Sequence, residues 1–443
     1  MKKKTVWEMS GRSKVVSLSA AVCSCSCEEA YSLRLAQADS VMKNRKVLIV
    51  GTGIAGTTLA YWLNRYGFEP TLIERAEQLR TGGYVIDFWG LGYDVAEKMG
   101  LLPALKEVAL PVDGLKIVDE RGKRRGGIGP RAIRSMLGRR YLSILRSDLA
   151  KEIYGALGGG VRTIFGDTVT RLQQDEAGVL VEYRSGHSER FDLVFGAGGL
   201  HSPIRNLLFG AESSFEKFLG YYAASFAVDD YPHQDPHVFV SYSVPSKQVT
   251  RYTLKDGRTV FLFVFTAREK LSIPHGNAQA QKQVLKDEFA GVGWECPDML
   301  RRLEENTEIY FDAVSQIRME KWSRNRSTLV GDACACPSLL AGQGSALAMA
   351  GAYILAGELM LAEGNFQVAF ANYERSLHPV IESKQRAAQK FAKSFAPQTH
   401  AGIFLRNQVT RLMSIPFVAD LAMGRMFKDS LSLPPYESIQ PSA

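Results

Sequence analysis

The most regular hydrophobic pattern in the chain runs from residue 46 to residue 74. Residues 46–50 form a short apolar run, KVLIV, which is typical of a parallel strand covered on both faces. The apolar residues that follow recur at the spacing of one helix face, and they are Leu59, Trp62, Leu63 and Tyr66. Gly67 stands where a helix would end, and residues 69–74 form a second apolar strand pattern. The pattern predicts a strand, a helix and a second strand in direct succession.

Shorter strand patterns alternate with turns through the middle of the chain. Strands are predicted for residues 115–118 and 141–145, for two or three segments within 161–181, and from residue 191. A helix is predicted to follow Arg146, with Ser147 as its N-cap.

An aromatic-rich block comes next. It contains predicted strands at residues 221–228, 238–244 and 259–265, with a hairpin turn at Asp256-Gly257. Such a block would suit a sheet that forms the floor of a substrate cavity. A packed structural face explains any one of its aromatic residues equally well.

The last third of the chain is predicted to be one strand followed by helices. Residues 327–331 form an apolar strand that ends at Gly331-Asp332, and a long buried helix begins near Gly344. From about residue 367 the chain is helical and basic, with Leu405, Val409 and Leu412 on one helix face. This stripe predicts packing against the chain's own domain or a second subunit, and peripheral contact with a membrane is the alternative. A monomer and a homodimer are both left open.

Composition and charge exclude several classes of function. The 443 residues are 46% hydrophobic and 23% charged, which is ordinary for a globular protein of two or three domains. The net charge is +8, but lysine and arginine are scattered along the chain, so no nucleic-acid partner is expected. No apolar run reaches the ~18–20 residues that span a bilayer, so no integral membrane segment is expected.

The cysteines and the N-terminal segment indicate the cellular compartment in which the protein is expected. Six cysteines in a chain of this length do not make a disulfide framework, which favours a reducing compartment and a cytoplasmic location. Cys23, Cys25 and Cys27 alternate with serine without partner ligands, so no metal site is expected. They lie in residues 1–41, which we interpret as a poorly structured extension that precedes a true or ancestral start at Met42. A cleaved export signal is the alternative.

Three spaced glycines stand at the predicted junction between the first strand and the helix. Gly51, Gly53 and Gly56 form G-x-G-x-x-G: the first permits a tight turn, the second lets a pyrophosphate approach the backbone, and the third lets helix and strand pack closely. Glu74 ends the second strand, where an adenosine ribose offers two hydroxyls. The unit is predicted to bind a dinucleotide, and the acid favours FAD or NAD over NADP in this slot. The alternative is a helix-capping turn with a surface glutamate.

A second ligand-facing pattern lies at the end of the last predicted strand. Asp332 ends that strand, and Gly342 and Gly344 flank Gln343 where the long helix begins. The carboxylate could meet hydroxyl groups, and the helix N-terminus could face an electron-rich ring. The alternative role for Asp332 is a helix cap.

Three motifs, taken in their order along the chain, resemble those of the single-component, FAD-dependent aromatic hydroxylases of the para-hydroxybenzoate hydroxylase type. That family includes tetracycline-inactivating monooxygenases. The motifs are GTGIAG with Glu74, LRSDL with Arg146, and GDACACPSLLAGQG, whose internal spacing is the most specific. The resemblance spans residues 44–395. It implies an α/β fold with a Rossmann-like FAD-binding domain of the GR2 type, a βαβ unit with discontinuous segments, an inserted mixed β-sheet substrate domain and a C-terminal helical region.

The resemblance also implies boundaries and an activity. The FAD-binding domain would comprise residues 42–108, 141–212 and 322–366, the substrate domain residues 109–140 and 213–321, and the helical region residues 367–443. The implied activity is that of a monooxygenase with non-covalent FAD, which uses NADPH or NADH and O₂ to place one oxygen atom on an aromatic or polycyclic small molecule.

Site residues follow from the same resemblance. The residues implied to bind the cofactor are Gly51, Gly53, Ile54, Ala55, Gly56, Glu74, Arg75, Arg80, Asp87, Arg146, Asp332, Gly342 and Gly344. Arg146 would pair with phosphate or ribityl oxygens, with a surface ion pair as the alternative, and Arg80 would meet the nicotinamide dinucleotide. No catalytic residue is assigned, because the cofactor carries the hard step. His201 is expected to face solvent, and Cys334 and Cys336 are expected to shape the flavin loop rather than form a redox pair.

The sequence departs from the family pattern at two places. Gly198 stands where the middle motif has its second aspartate, which leaves the use of NADPH or NADH open, and Cys334-Ala335-Cys336 replaces a common histidine. Two rival interpretations follow. One is another FAD-dependent oxidoreductase on the same fold, such as a dehydrogenase or reductase; a halogenase is disfavoured because W-x-W is absent. The other is a non-catalytic flavin-binding protein.

Overall fold

The computed structural model describes a defined part of the chain, namely residues 42–79, 83–130, 133, 140–232, 235–273, 276–306, 309–413 and 431–439. Residues 1–43 and residues 44–443 are separate units, and all elements below belong to the second. The predicted extension at residues 1–41 and the candidate Arg80 lie outside the described residues.

A largely parallel sheet contains the predicted strand–helix–strand unit. Its strands are β1 (Lys46–Val50), β2 (Glu69–Glu74), β7 (Arg162–Phe165), β11 (Leu193–Gly196), β17 (Ser323–Arg324) and β18 (Ser327–Leu329). The order is β17-β18-β11-β1-β2-β7, and all neighbours from β18 to β7 run parallel. Strand β1 is central and Val47, Leu48 and Ile49 are fully buried, which explains its unbroken apolar run. The strand at the start of the chain and the late strand β18 therefore meet in one sheet.

A seven-stranded mixed sheet forms the second layer. Its strands are β4 (Gly114–Val118), β5 (Arg124–Ile128), β12 (Glu216–Val228), β13 (Val238–Val244), β14 (Lys247–Thr253), β15 (Thr259–Thr266) and β16 (Tyr310–Ile317). The order is β16-β12-β15-β14-β13-β4-β5. The predicted hairpin at Asp256-Gly257 is confirmed, because it joins the antiparallel pair β14 and β15. Strands β14 and β16 were not predicted, since polar residues interrupt their apolar patterns.

Two small antiparallel sheets complete the strands. One pairs β3 (Val85–Trp89) with β6 (Tyr141–Leu145). The other consists of β8 (Val169–Asp175), β9 (Gly178–Tyr183) and β10 (Ser188–Phe191). The predicted α/β class with a mixed second sheet is confirmed.

Helices cover the sheets and connect them. They are α1 (Ile54–Arg65), α2 (Leu91–Lys98), α3 (Leu102–Val108), α4 (Arg146–Gly155), α5 (Pro203–Phe209), α6 (Ala278–Phe289), α7 (Cys296–Glu305), α8 (Asp332–Ala335), α9 (Gly344–Leu361), α10 (Phe366–Phe395) and α11 (His400–Leu412). Helix α9 is long and apolar enough to cross a membrane, but 72% of it is buried inside the protein, as expected of a core helix. Its predicted start at Gly344 is confirmed.

The predicted N-cap of α4 is wrong. The helix begins at Arg146, its N-cap is Leu145, and no side chain caps it. The backbone N–H of Arg146 donates to the carbonyl of Tyr84 at 3.2 Å, so the chain enters the helix directly from strand β6. Arg146 thus occupies the first helical position, at the edge of both elements.

The aromatic side chains of the second layer lie mainly on one face of the sheet. Phe226, Phe261 and Phe263 are almost fully buried and pack against Phe289 of α6 and against residues of α7. Side chains on a strand alternate between the two faces, so the residues between these aromatics point the other way. The aromatic pattern therefore marks a structural core behind the sheet, and the opposite face is available for a cavity.

The predictions for the C-terminal helices are confirmed in part. Helices α10 and α11 confirm that the chain is helical after residue 367. However, Leu405, Val409 and Leu412 of α11 are 65%, 48% and 57% exposed, so packing of this stripe against the chain's own domain is wrong. A second subunit or a membrane surface stays a prediction for this face. The domain boundaries given above also stay a prediction.

Candidate functional site

One cavity brings together almost every residue that the sequence singled out. Its volume is about 2150 Å³, above the roughly 300–1000 Å³ that is usual for a single small-molecule site. The predicted residues on its wall are Gly51, Gly53, Ile54, Ala55, Glu74, Arg75, Asp87, Arg146, Asp332, Gly342 and Gly344. The cavity has room for an extended ligand together with a second, smaller molecule.

The glycines of the first turn differ in what surrounds them. A Cβ on Gly56 would lie 2.0 Å from the carbonyl oxygen of Gly51, and a Cβ on Gly51 would lie 2.6 Å from the carbonyl oxygen of Ala197. Glycine is therefore required at both positions, because α1 packs closely on β1 and β11. Gly53 instead has no atom of another described residue, apart from its neighbours in the chain, within 4 Å of its Cβ position, and it faces the cavity. The backbone at Gly53 is open to a ligand, as the motif predicts.

The carboxylate of Glu74 is fixed at one end of the cavity. Its Oε2 accepts hydrogen bonds from the backbone N–H and the hydroxyl of Thr52, both at 3.1 Å, and its Oε1 accepts one from the N–H of Ala76 at 3.1 Å. Each oxygen retains acceptor capacity. Glu74 is thus held beside the glycine turn, with its remaining lone pairs able to accept from ligand hydroxyls.

The second predicted pattern lies against the first. A Cβ on Gly331 would lie only 2.8 Å from the Cβ of Ala55, so the turn after β18 rests on the first turn of α1. At the next residue, Oδ1 of Asp332 lies 3.8 Å from the Cβ position of Gly344, where α9 begins. The two sequence patterns, far apart in the chain, therefore border one crevice.

Arg146 is a charged group on the wall of the cavity. Its guanidinium makes no hydrogen bond and no ion pair with any residue in the described part of the chain, and its side chain is exposed on the cavity wall. Burial opposes its charge, but the neighbouring Tyr84 and Asp332 outweigh that effect and raise its pKa. The cavity therefore holds a cation that is available to a ligand.

Burial also shifts the pKa values of the acidic and phenolic groups beside Arg146. Burial raises the pKa of Asp332, and Arg146 partly opposes that shift. Burial also raises the pKa of Tyr84 to about 12, again with Arg146 in opposition. The ring of Tyr84 lies 5.1 Å from that of Tyr310 on β16. Hence Tyr84 and Tyr310 stay protonated at neutral pH and line the cavity as hydrogen-bond donors.

His201 does not face solvent, and that prediction is wrong. Its Nδ1 lies 3.0 Å from Glu212 and its Nε2 lies 3.4 Å from Asp312 of β16. Glu212 also pairs at 2.8 Å with Arg205, whose side chain is fully buried. Burial lowers the pKa of His201, but the hydrogen bonds and charges of Asp312 and Glu212 outweigh it and raise the pKa to about 9. A cationic His201 thus ties the turn after β11 to the second sheet.

The His201 ion pairs predict a pH dependence of stability. The pKa of His201 is raised from 6.5 to about 9 on folding, so its contribution is complete below about pH 6.5 and is lost as the pH rises through about 9. We expect the free energy of unfolding to fall across this interval in the wild-type protein. The fall should be smaller in His201→Gln, and denaturant unfolding at about pH 6 and about pH 10 measures it. An equal fall in both proteins would contradict the assignment.

The turn after β11 is packed closely around Gly198. A Cβ at this position would lie 2.8 Å from Cδ of Pro203 and 3.2 Å from Cα of Ser202. Pro203 is the first residue of α5, and Ser202 caps that helix by accepting from the N–H of Arg205. The aspartate of the family motif therefore does not fit this turn without a shift of Pro203.

The variant Gly198→Asp, which restores the aspartate of the family motif, tests how closely this turn is packed. We expect Gly198→Asp to lower the free energy of unfolding by about 1–3 kcal/mol, as is usual when a filled interior is overpacked. Pro203→Ala removes the closest contact, so the double variant should lose less than the sum of the two single variants. Denaturant unfolding of the four proteins measures this coupling. Strict additivity would show that Pro203 does not limit the turn.

Cys334 and Cys336 are buried thiols that donate to backbone carbonyls. Sγ of Cys334 lies 3.4 Å from the carbonyl oxygen of Gly331, and Sγ of Cys336 lies 3.6 Å from that of Ser315. Burial raises the pKa of both thiols well above the ordinary value. Both are free thiols, and their hydrogen bonds hold the loop between β18 and α9.

The sequence missed several residues on the cavity wall. Tyr84, Tyr141, Tyr310 and Asp312 lie in no motif, and only the folded chain brings them to the site. The face of the second sheet that lines the cavity carries Ser225, Ser241, Gln248 and Thr250, together with Phe239, Val260 and Leu262. This wall therefore combines hydroxyl and amide groups with aliphatic and aromatic side chains.

Comparisons with known proteins agree with this site. The family described as FAD binding domain matches residues 44–383. An uncharacterized protein of Mycobacterium tuberculosis (strain ATCC 25618 / H37Rv) is 38% identical over 347 residues, 77% of this chain and 92% of that protein. A flavin-dependent monooxygenase of Legionella longbeachae serogroup 1 (strain NSW150) is 31% identical over 404 residues, 89% of this chain and 99% of that protein.

A solved structure extends the likeness to the fold. The crystal structure of tetracycline destructase Tet(55) is 30% identical in sequence, and the match covers 89% of this chain and 99% of that chain with a TM-score of 0.75. The profile match and the identities to flavin-dependent monooxygenases both span most of the chain. The chain therefore belongs to the FAD-binding-domain family, among the FAD-dependent monooxygenases of the aromatic hydroxylase type.

Proposed function

We propose that this protein is an NAD(P)H-driven monooxygenase that holds one FAD molecule in the large cavity and inserts one atom of O₂ into an aromatic or polycyclic small molecule. The main support for the proposal is the guanidinium of Arg146, which has no partner among the described residues and lies in a cavity that both ligand-facing patterns line. FAD supplies the reduction of O₂ and the oxygen transfer when it is bound. The protein supplies binding, orientation and exclusion of water.

The adenosine half of FAD would lie at the first turn. Gly53 leaves the backbone open for the pyrophosphate, which would meet the N-terminal end of α1. Glu74 would accept hydrogen bonds from the ribose hydroxyls, because Thr52 and Ala76 already fix its orientation. Arg75 follows at the same end of the cavity.

The flavin half would lie at the second turn. Asp332 would accept from ribityl hydroxyls, and Arg146 would donate to phosphate or ribityl oxygens. The N-terminus of α9 at Gly344 would stabilise negative charge on the reduced ring through its dipole. Gly342 would let the ring lie close to the backbone.

The substrate would occupy the remaining part of the cavity, against the second sheet. The hydroxyl and amide groups of Ser241, Gln248 and Thr250 favour a substrate with several polar substituents. One relative of known structure is a tetracycline destructase, so tetracyclines are reasonable first compounds for a test. Simple phenols complete the panel.

Purified protein tests the proposal. We expect a yellow protein with bound FAD, bleaching by NADPH or NADH without oxygen, and O₂ uptake that rises with one of the compounds. The product should carry one oxygen from labelled O₂. A colourless protein that takes up no FAD would overturn the proposal. Because Gly198 replaces the aspartate of the middle motif, both nicotinamide cofactors belong in the assay.

The same measurements separate the rival interpretations. A yellow protein that NADPH and NADH cannot bleach would favour a non-catalytic flavin-binding protein, for which the closed turn at Gly198 is the supporting observation. Bleaching with no oxygen in any product would favour another FAD-dependent oxidoreductase.

A further inference from the structure

Helix α11 packs on the protein through polar residues and leaves its apolar residues outside. It rests on Gly126 of β5, whose Cβ position lies 2.9 Å from Oγ1 of Thr410 and 3.0 Å from the carbonyl oxygen of Asn407. The outer face of the helix, called the apolar face below, carries the exposed residues Phe404, Leu405, Val409 and Leu412. A surface helix normally has the opposite arrangement, with its apolar residues towards the core. The inverted orientation indicates that the apolar face meets something other than the core.

Polar contacts with the seven-stranded sheet fix α11 in this orientation. Arg406 donates from Nη1 to Oε1 of Gln248 on β14 at 2.8 Å, and from Nη2 to Oγ of Ser243 on β13 at 3.1 Å. Rotating the helix to bury its apolar face would break both hydrogen bonds and would expose Asn407, which is now buried. The apolar face therefore stays outside as long as α11 keeps these contacts.

Two basic stretches of the sequence meet at this helix. Residues 121–147 contain nine lysines and arginines and no acidic residue, and residues 383–413 contain six and no acidic residue. The net charge of the whole chain is only +8, so the rest of the chain is net negative. The first stretch includes β5, on which α11 rests, and the second includes α11 itself. The fold thus joins two distant basic stretches at one apolar helix face.

Exposed cations flank the apolar face on the helix and on the neighbouring hairpin. Nε of Arg124, at the start of β5, donates to the carbonyl of Gly126 at 3.2 Å, so its side chain lies beside the residue on which α11 rests. Arg125 pairs with Asp119 at 2.8 Å, which neutralises one charge of the hairpin. The exposed cations of the hairpin turn and of the helix also include Arg121, Lys123 and Arg411. The apolar face therefore has positive charge at its border.

This combination of charge and apolar surface favours an anionic lipid bilayer over other partners. In a symmetric dimer the same patch of both subunits meets, so a second copy would bring the two basic borders against each other, which is unfavourable. A nucleic acid would use the cations but not the apolar side chains. An anionic bilayer uses both, because the apolar residues enter the boundary between headgroups and acyl chains while the cations meet lipid phosphates.

We propose that α11 docks this protein on the surface of a bilayer that contains anionic phospholipid, through its apolar face and the cations at its border. The contact is peripheral and reversible, because one helix face lies in the interface and no segment crosses the bilayer. Leu405 and Val409 of the apolar face also line the large cavity, so docking places an opening of the cavity against lipid. The inference goes beyond the proposed function, because the docking needs neither bound flavin nor turnover.

Co-sedimentation of the full-length chain with lipid vesicles tests the docking. One vesicle is phosphatidylcholine alone, and the other also contains about one-third phosphatidylglycerol. We expect binding to the anionic vesicles that is at least about tenfold tighter than to the neutral ones, since each cation near an anionic surface contributes about fivefold. The difference should disappear in about 1 M salt, where charges are screened within about 3 Å. No binding to anionic vesicles, or equal binding to both, overturns the inference.

A double variant tests the apolar face itself. Phe404→Ser with Leu412→Ser removes two exposed apolar side chains, so we expect binding to anionic vesicles to weaken by about tenfold or more. Exposed positions tolerate such changes, and the midpoint of denaturant unfolding should stay that of wild type. Leu361→Ser with Val368→Ser is the matched control, because these exposed apolar residues lie outside both basic stretches and should not affect binding. A Phe404→Ser, Leu412→Ser protein that binds as wild type does excludes α11 as the docking element.

A second double variant tests the basic border. Lys123→Gln with Arg411→Gln removes two exposed cations, and we expect about tenfold weaker binding to anionic vesicles. Lys217→Gln with Lys321→Gln changes the net charge equally at exposed lysines outside the two stretches and should have a much smaller effect. Equal losses in both double variants would show that net charge alone attracts the protein to lipid, which contradicts a docking face at α11.

Light scattering of the same proteins without lipid identifies a second copy as the partner. A wild-type dimer that Phe404→Ser with Leu412→Ser converts to a monomer, and that binds no vesicles, would assign the apolar face to the dimer and overturn the inference. Vesicle binding by the wild-type protein that these two substitutions abolish supports it. None of these readouts uses flavin content or O₂ uptake, so their failure leaves the proposed function standing.

Discussion

Gly53→Ala is expected to weaken FAD binding by roughly tenfold to a hundredfold without destabilising the cofactor-free protein. Apart from its neighbours in the chain, no described residue has an atom within 4 Å of the Cβ position of Gly53, and its φ of −72° suits alanine. The new methyl group would instead occupy space that the pyrophosphate needs, at a cost of about 1–3 kcal/mol, and each 1.4 kcal/mol is a tenfold change in affinity. Quenching of flavin fluorescence on titration of the cofactor-free protein measures the affinity.

The unfolding free energy distinguishes this effect from damage to the fold. Alanine at a compatible glycine position usually stabilises a protein by about 0.4–1 kcal/mol, so cofactor-free Gly53→Ala should be at least as stable as wild type. Gly155→Ala at the end of α4 is the matched control, because its Cβ position is equally open. Unchanged FAD affinity in Gly53→Ala would show that the pyrophosphate does not approach this backbone.

Arg146→Met is expected to lower FAD affinity by about ten- to a hundredfold. A hydrogen bond to a charged group contributes about 1.5–3 kcal/mol, and the guanidinium of Arg146 has no other partner among the described residues. The cofactor-free protein should not be destabilised, because the substitution breaks no hydrogen bond of that side chain. Flavin titration and denaturant unfolding of the same preparation measure the two quantities.

A surface arginine is the control for Arg146. Arg162 of β7 pairs with Glu189 at 3.1 Å, away from the cavity wall, so Arg162→Met should bind FAD as wild type does. If Arg146→Met also bound FAD with wild-type affinity, Arg146 would serve the fold or the substrate. The proposed function would then lose its main supporting observation.

The sequence predicted the two ends of the site because each end is local. The G-x-G-x-x-G turn and the Asp332-to-Gly344 loop consist of neighbours in the chain, and each residue type meets one geometric need. A Cβ at Gly56, for example, would lie 2.0 Å from a backbone oxygen, which only glycine avoids. The strand–helix–strand unit followed from periodicity for the same reason.

The rest of the site depends on contacts between distant segments. No sequence pattern near His201 predicts its contact with Asp312, because Asp312 lies on the last strand of the other sheet. Asp87 and Tyr141 meet only because β3 and β6 pair across the segment between them. Alternation identified two faces of each strand in the aromatic block, but not which face meets the cavity. Most of the aromatic residues pack behind the sheet, while Phe239 and Tyr310 line the cavity.

The electron density of FAD in a crystal of the yellow protein would show where each part of the cofactor lies. We predict a single FAD molecule whose pyrophosphate lies over Gly53, whose phosphate or ribityl oxygens accept from Arg146, and whose ring lies against the turn from Gly342 to Gly344. Density that places the ring away from that turn, or the adenosine away from Glu74, would contradict it.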